Sequence, residues 1–408
     1  MQRPVAAPST SRQSERGLDW FTFFVADIQT GFGPFLAVYL TTQKWNQADI
    51  GLVLAVGSIA GLLCQLPGGW LVDLVPSKRR SGQVAVAALG ASALMMAVSP
   101  SFLSILLAKV LHVGASSVLG PAIAAITLGL VGHAAVGPRL GRNARFASIG
   151  NGVAAGVMGA IGYLISPQAV FFVTAALALP TLWALVQIRE GDINAVHADA
   201  GIATPLAQPA EAGIAVLLKN NALITLAACV LLFHAANAAM LPLAATEMTV
   251  HLGNWASALI AACIIAPQLI VALIAPWIGQ LAVAKGRRPV LLLGFAALPV
   301  RAAILAVSSD PAIIIAAQLL DGVCAAVLGV LVPLSLADIS RVTGRFNLAQ
   351  GIVATTAGIG ATVGAATTGY LAYQFGTPFA FLGMACTGFL AFVTLLLAMP
   401  ETRPERWR

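Results

Sequence analysis

Charge is the scarcest property of this sequence. Only 9% of its 408 residues are Asp, Glu, Lys or Arg, whereas a soluble domain carries about 25%. A chain that is 59% hydrophobic, with mean hydropathy +0.90, has too little polar surface to dissolve in water. A polytopic membrane protein is therefore the first reading. Cysteine is also sparse and odd in number. Cys64, Cys229, Cys263, Cys324 and Cys386 all fall within apolar runs, which excludes a disulfide framework or metal-ligand spacing and leaves packing as their role. The sequence has no phosphate loop, nucleophile elbow or zinc motif, so no enzymology and no cofactor is expected. The net charge is +7, but basic and aromatic residues do not interleave on a polar face, which argues against a nucleic-acid partner. A cleaved signal peptide is not expected, because the first apolar run contains Asp27 and lacks a clear small-residue cleavage site.

What is abundant is apolar sequence in lengths that cross a bilayer of about 30 Å. Residues 1–17, with Arg3, Arg12 and Arg16, read as a disordered tail. A first bundle is expected over 18–188, with spans at 18–40, 48–72, 82–99, 101–131, 146–166 and 168–188. The polar stretch 189–220 reads as a flexible linker. A second bundle over 221–399 has spans at 221–245, 254–283, 289–308, 311–337, 346–373 and 377–399, and 400–408 forms a tail. With both termini cytoplasmic, 19 of the 22 Lys and Arg fall on the inner side, as the positive-inside rule requires. Lys44 is the one outer cation, and Lys109 and Arg301 fall within spans.

The chain also repeats. Gly69-Trp70-Leu71-Val72-Asp73, followed by Lys78-Arg79-Arg80, returns as Gly279-Gln280-Leu281-Ala282-Val283, followed by Lys285-Gly286-Arg287-Arg288. Val118-Leu119-Gly120 returns as Val327-Leu328-Gly329, Gly162-Tyr163-Leu164 as Gly369-Tyr370-Leu371, and Pro34 falls on Pro242. Such symmetry marks an internal duplication. The paired turns resemble the signature between the second and third helices of the major facilitator superfamily, although Val283 stands where the second copy would carry an acid. The resemblance covers nearly the whole chain. It implies an all-α membrane fold of twelve transmembrane helices in two pseudo-symmetric six-helix bundles, and a secondary transporter that works by alternating access.

Ionisable groups inside a bilayer each cost at least about 2.5–3.5 kcal/mol and so call for an explanation. Asp27 lies in the first span, Lys109 and His112 in the fourth, and Gln318 and Asp321 in the tenth. The resemblance implies that spans one, four, seven and ten line the cavity. Lys109-Val110-Leu111-His112-Val113-Gly114 resembles the Arg-x-x-Gln-Gly pattern of proton-coupled exporters, with Lys for Arg, His for Gln and a late glycine. Asp27 is the first candidate to carry the proton and Asp321 the second, with Lys109 and His112 tuning it. A structural Lys109–Asp27 ion pair is the alternative. Gln29, His234, Asn237 and Gln318 are expected at the solute cavity. Arg301 is placed with them, either supporting the site by pairing Asp321 or snorkelling to water. Gly69, Asp73, Arg79, Arg142 and Arg145 read as one gate, Gly279, Arg287, Asp338 and Arg341 as its counterpart.

The expected function is proton-coupled transport of a small organic solute, with efflux by antiport ahead of uptake by symport. The exporters' Gly-Pro pair is absent, since Gly156 precedes Val157. A non-transporting receptor or scaffold is the reading from another class. The expected partners are the solute, protons and the lipid bilayer. A monomer in a bacterial inner membrane is the expected setting.

Overall fold

The computed structural model describes residues 11–403 except 31–35, 37, 38, 41, 46, 194–216, 218, 245–255 and 342, and every described element is a helix. The helices are α1 (Arg12–Thr30), α2 (Gln47–Leu74), α3 (Lys78–Val98), α4 (Phe102–Leu164), α5 (Pro167–Val186) and α6 (Asn221–Asn237). They continue with α7 (Ala256–Lys285), α8 (Arg287–Val307), α9 (Pro311–Ile339), α10 (Phe346–Phe375) and α11 (Thr377–Ala398).

Local chemistry sets their ends. Ser77, Ser101, Ser166, Asn220 and Asp310 each cap the helix that follows by accepting from its first free N–H groups. Pro167 and Pro311 follow their caps, where a missing N–H costs nothing. The 63-residue α4 is two limbs joined at Gly132, whose φ of 66° only glycine adopts freely. That break lies one residue beyond the expected end of the fourth span.

Nine helical stretches among the described residues are long and apolar enough to cross a membrane. They coincide with expected spans three, four, six and seven to twelve. The other three expected spans fall on α1, α2 and the second limb of α4. Leu63, Val84, Leu179, Leu273 and Leu397 are each at least 70% exposed. Aliphatic side chains presented outward in this number suit hydrocarbon rather than water.

Two compact units emerge. Unit 1 comprises Met1–Arg139 and Ile149–Ala212, and unit 2 comprises Leu140–Ser148 and Gly213–Arg408. The short piece 140–148 thus clusters apart from the first expected bundle. Helix α1 starts at Arg12, inside the segment read as a tail, and Ser14, Leu18 and Phe21 are buried on it. Its first turn is tied down. The hydroxyls of Ser11 and Ser14 donate to the Asp192 carboxylate at 2.5 and 2.6 Å, and these donors hold that carboxyl below the usual range. In the core of unit 1, Leu18, Phe21 and Val25 meet Leu89, Leu119 and Leu185.

The duplication is visible in packing. Gly150 on α4 abuts the backbone of Phe23 on α1, and Gly360 on α10 abuts that of Leu231 on α6. Each contact brings two backbones together where any Cβ would overlap a carbonyl oxygen. Gly360→Ala should therefore lower stability by about 1–3 kcal/mol, read as a lower unfolding temperature in detergent. Gly156→Ala, with nothing within 4 Å of the added methyl, should leave it unchanged. Equal behaviour of the two variants would refute the close-approach reading.

Candidate functional site

A guanidinium lies deep among the apolar helices of unit 2. Arg301, well inside α8, is 1% exposed. Its Nη1 donates to Asp321 Oδ1 at 2.5 Å and to Asn237 Oδ1 at 2.7 Å, and its Nη2 donates to Gln318 Oε1 at 2.7 Å. Gln318 and Asp321 lie three apart on α9, so one face of that helix presents both acceptors. Asn237 arrives from the last turn of α6. Three helices thus converge on one cation. Gln318 is fully buried, while the Asp321 side chain stays 24% exposed. Two buried donors, Arg301 Nε and Gln318 Nε2, have no acceptor among the described residues. The arrangement is a charge-neutral knot with spare N–H capacity and one carboxylate edge within reach of a ligand or water.

One turn below Asn237, His234 Nδ1 faces the Val230 carbonyl at 2.9 Å. In the neutral ring that bond makes Nδ1 the donor and leaves Nε2 as an acceptor. A cavity of about 380 Å³ in unit 2, lined by Ala244, Leu305, Ser308, Thr377 and Phe381 among others, includes none of these side chains.

In unit 1 the corresponding residues form a looser set. Gln29 Nε2 donates to the Ser116 carbonyl at 3.3 Å, and His112, 5% exposed, is hydrogen-bonded to the Gln29 backbone. The Lys109 stem lies over Gly57, where an added Cβ would sit 2.6 Å from its Cε. A larger residue on α2 would displace the ammonium. The Asp27 side chain, and with it the Lys109–Asp27 pairing weighed from the sequence, lies outside the described residues.

The paired turns build parallel latches. In unit 1, Lys78 Nζ donates to the carbonyls of Val72 at 2.6 Å, Val75 at 2.9 Å and Asp73 at 3.3 Å. In unit 2, the equivalent Arg287 donates from Nη1 to Ala282 at 3.0 Å. Gly69 and Gly279 are buried behind these turns. Arg287 Nε also pairs with Asp338 Oδ2 at 2.9 Å, with both side chains at least 95% buried. The partner of Asp338 is thus Arg287, whereas Arg341 is exposed at the following turn. Asp338 itself belongs to the last turn of α9 rather than to the loop beyond it. Arg142 stacks over Phe146 at 5.8 Å, and Arg145 is exposed.

The profile of the Major Facilitator Superfamily matches residues 20–282 and again 226–408. The chain belongs to the major facilitator superfamily. MFS-type transporters from two strains of Mycobacterium tuberculosis are each 38% identical to it over 391 residues, 95% of this chain and 93% of theirs. Among solved structures, the proton:xylose symporter XylE superposes with TM-score 0.74 at 14% identity, covering 96% of each chain. The human organic anion transporter MFSD10 does so with TM-score 0.67 at 15% identity, covering 94% of this chain and all of that one. These likenesses establish the fold. The protein is a membrane transporter of this superfamily, not an enzyme.

Three acids of this transporter escaped the sequence reading. Asp19 Oδ1 accepts from Arg139 Nη2 at 2.8 Å, with both side chains buried. Glu401 accepts from the backbone N–H groups of Arg287 and Arg288 and so caps α8, beside Gly286, whose φ of 99° suits glycine alone. Glu190 accepts from the Ser77 hydroxyl and lies 3.8 Å from Arg79 Nε, while Arg79 Nη1 donates to the Ile188 carbonyl at 2.9 Å. Glu190 and Glu401 each follow the last span of their half, so the repeat offset was a usable signal for them. Nothing in the sequence singled out Asp19.

Arg301→Met should cost about 3–5 kcal/mol, because it leaves the Asp321 charge without its partner. Thermal unfolding of the purified protein measures the loss. An unchanged unfolding temperature would mean that Arg301 does not hold unit 2 together.

Proposed function

We propose that this transporter moves a small organic solute by proton-coupled secondary active transport, with efflux by proton antiport and alternating access between the two sides. The observation that carries the reading is the buried Arg301–Asp321 pair. Apolar packing would fill that space at lower cost, so intramembrane charge is retained for function. Asp27 remains the first candidate to carry the proton, with Lys109 as its counter-charge and His112 beside it. Asp321 is second, because its charge already serves Arg301. The spare donors of Arg301 and Gln318, with Asn237, His234 and Gln29, suit a solute bearing carbonyl or carboxylate oxygens.

Twelve spans with both termini inside, in a bacterial inner membrane and as a monomer, complete the proposal, and the cation distribution supports it. Gly69, Asp73, Arg79, Arg142 and Arg145 serve as one gate. Gly279, Arg287, Asp338 and Arg341 serve as the other. Uptake by proton symport is the second reading. It is favoured by Val157 standing after Gly156, where exporters carry proline.

Solute-driven pH change in proteoliposomes, measured across a small solute library, tests both readings. Wild type should give a proton flux that needs the solute, and Asp27→Asn should reduce it at least about tenfold, the scale of a lost positioned proton carrier. The sign of the flux separates antiport from symport. Solute movement without proton flux in wild type would overturn the coupling.

A further inference from the structure

The start of α1 and the end of α5 enclose a cavity of about 440 Å³ within unit 1. Arg12, Arg16 and Trp20 recur every fourth residue, so they form one stripe on α1, and Trp183 on α5 faces it together with Gln187, which caps the end of α5. Gln13 stitches the two helices together. Its amide donates to Gln187 Oε1 at 2.7 Å and accepts from Arg189 at 2.9 Å. Gly17 brings α1 close to Ala184 and Gln187.

Among the described residues, no carboxylate lines this cavity. Neither Arg12 nor Arg16 has a hydrogen bond or ion pair through its side chain among the described residues, and both are exposed. Trp20 and Trp183 are 46% and 60% exposed, and Trp20 stacks on Phe24 one turn further along α1. The wall therefore grades from two open guanidinium groups, through indoles with an N–H each, to purely apolar rings. That gradient is the profile of the membrane interface, where tryptophan collects.

We propose that this cavity binds an anionic phospholipid of the leaflet on the N-terminal side. Its phosphate lies between Arg12 and Arg16, its glycerol against Trp20 and Trp183, and its acyl chains along Phe24. The two cations suit a phosphate diester carrying a net charge, and the adjoining apolar wall selects a lipid over a free anion. Naming that leaflet as the cytoplasmic one rests on the orientation proposed above. The site itself does not.

The test uses full-length protein in detergent micelles, titrated with brominated phosphatidylglycerol or brominated phosphatidylcholine, with tryptophan quenching as the readout. Phosphatidylglycerol should bind at least about tenfold more tightly than phosphatidylcholine. Arg16→Gln should weaken it about fivefold, and Arg12→Gln with Arg16→Gln on the order of 25-fold, with the unfolding temperature unchanged. Trp20→Phe with Trp183→Phe should remove the quenched component. Equal affinity for the two lipids, or no effect of the arginine variants, would overturn the proposal. So would displacement of the lipid by millimolar inorganic phosphate, which would make this a simple anion site. The micelle titration is independent of transport and orientation. Accessibility of a terminal tag in vesicles tests the orientation separately.

Discussion

A guanidinium cannot stay buried among aliphatic side chains unless its N–H groups are met, and in this transporter that requirement organises unit 2. Arg301 demands acceptors from several directions, and α6 and α9 must supply them at one level. The i, i+3 spacing of Gln318 and Asp321 fixes the rotation of α9, and Asn237 fixes the end of α6. The glycine contact between α10 and α6 then sets how closely the next helix can follow. Register, rotation and helix approach are coupled through one ion.

The other buried pairs work differently. Asp19–Arg139 and Arg287–Asp338 are each at least 94% buried on both sides, and each joins only two helices. They tie α1, through Asp19 and the Glu15 carbonyl, to α4, and the first turn of α8 to the last turn of α9. The two halves have diverged around this plan. Unit 1 has Lys109 and His112 where unit 2 has Gln318 and Asp321, so the cation has moved from the fourth helix of one half to the third helix of the other.

Much of this was legible in the sequence because the governing terms are local. Apolar run length sets the spans, Ser and Asp caps with following prolines set helix starts, and the paired Gly-x-Leu turns reveal the duplication. Arg301 was legible as an ion needing either Asp321 or water, and burial selects Asp321. Partners distant along the chain were less so. Asp338 is closer in sequence to Arg341, yet Arg287 is the residue that folding brings against it. Glu190 and Glu401 stand in polar stretches past the last span of each half, and a carboxylate whose partners lie more than 100 residues away leaves no local pattern. Helix α1 begins six residues early because Ser11 and Ser14 find Asp192, a contact no window of local sequence contains.

As proposed above, the Arg301–Asp321 pair is kept for transport and not for stability. Replacing both charges together, Arg301→Met with Asp321→Leu, separates the two, because a buried pair exchanged for apolar side chains of similar volume is often neutral or stabilising. The double variant should fold with an unfolding temperature at or above that of wild type and yet fail to move, in proteoliposomes, the solute that wild type moves. A double variant that folds and transports at the wild-type rate would contradict the account and leave the pair a packing feature.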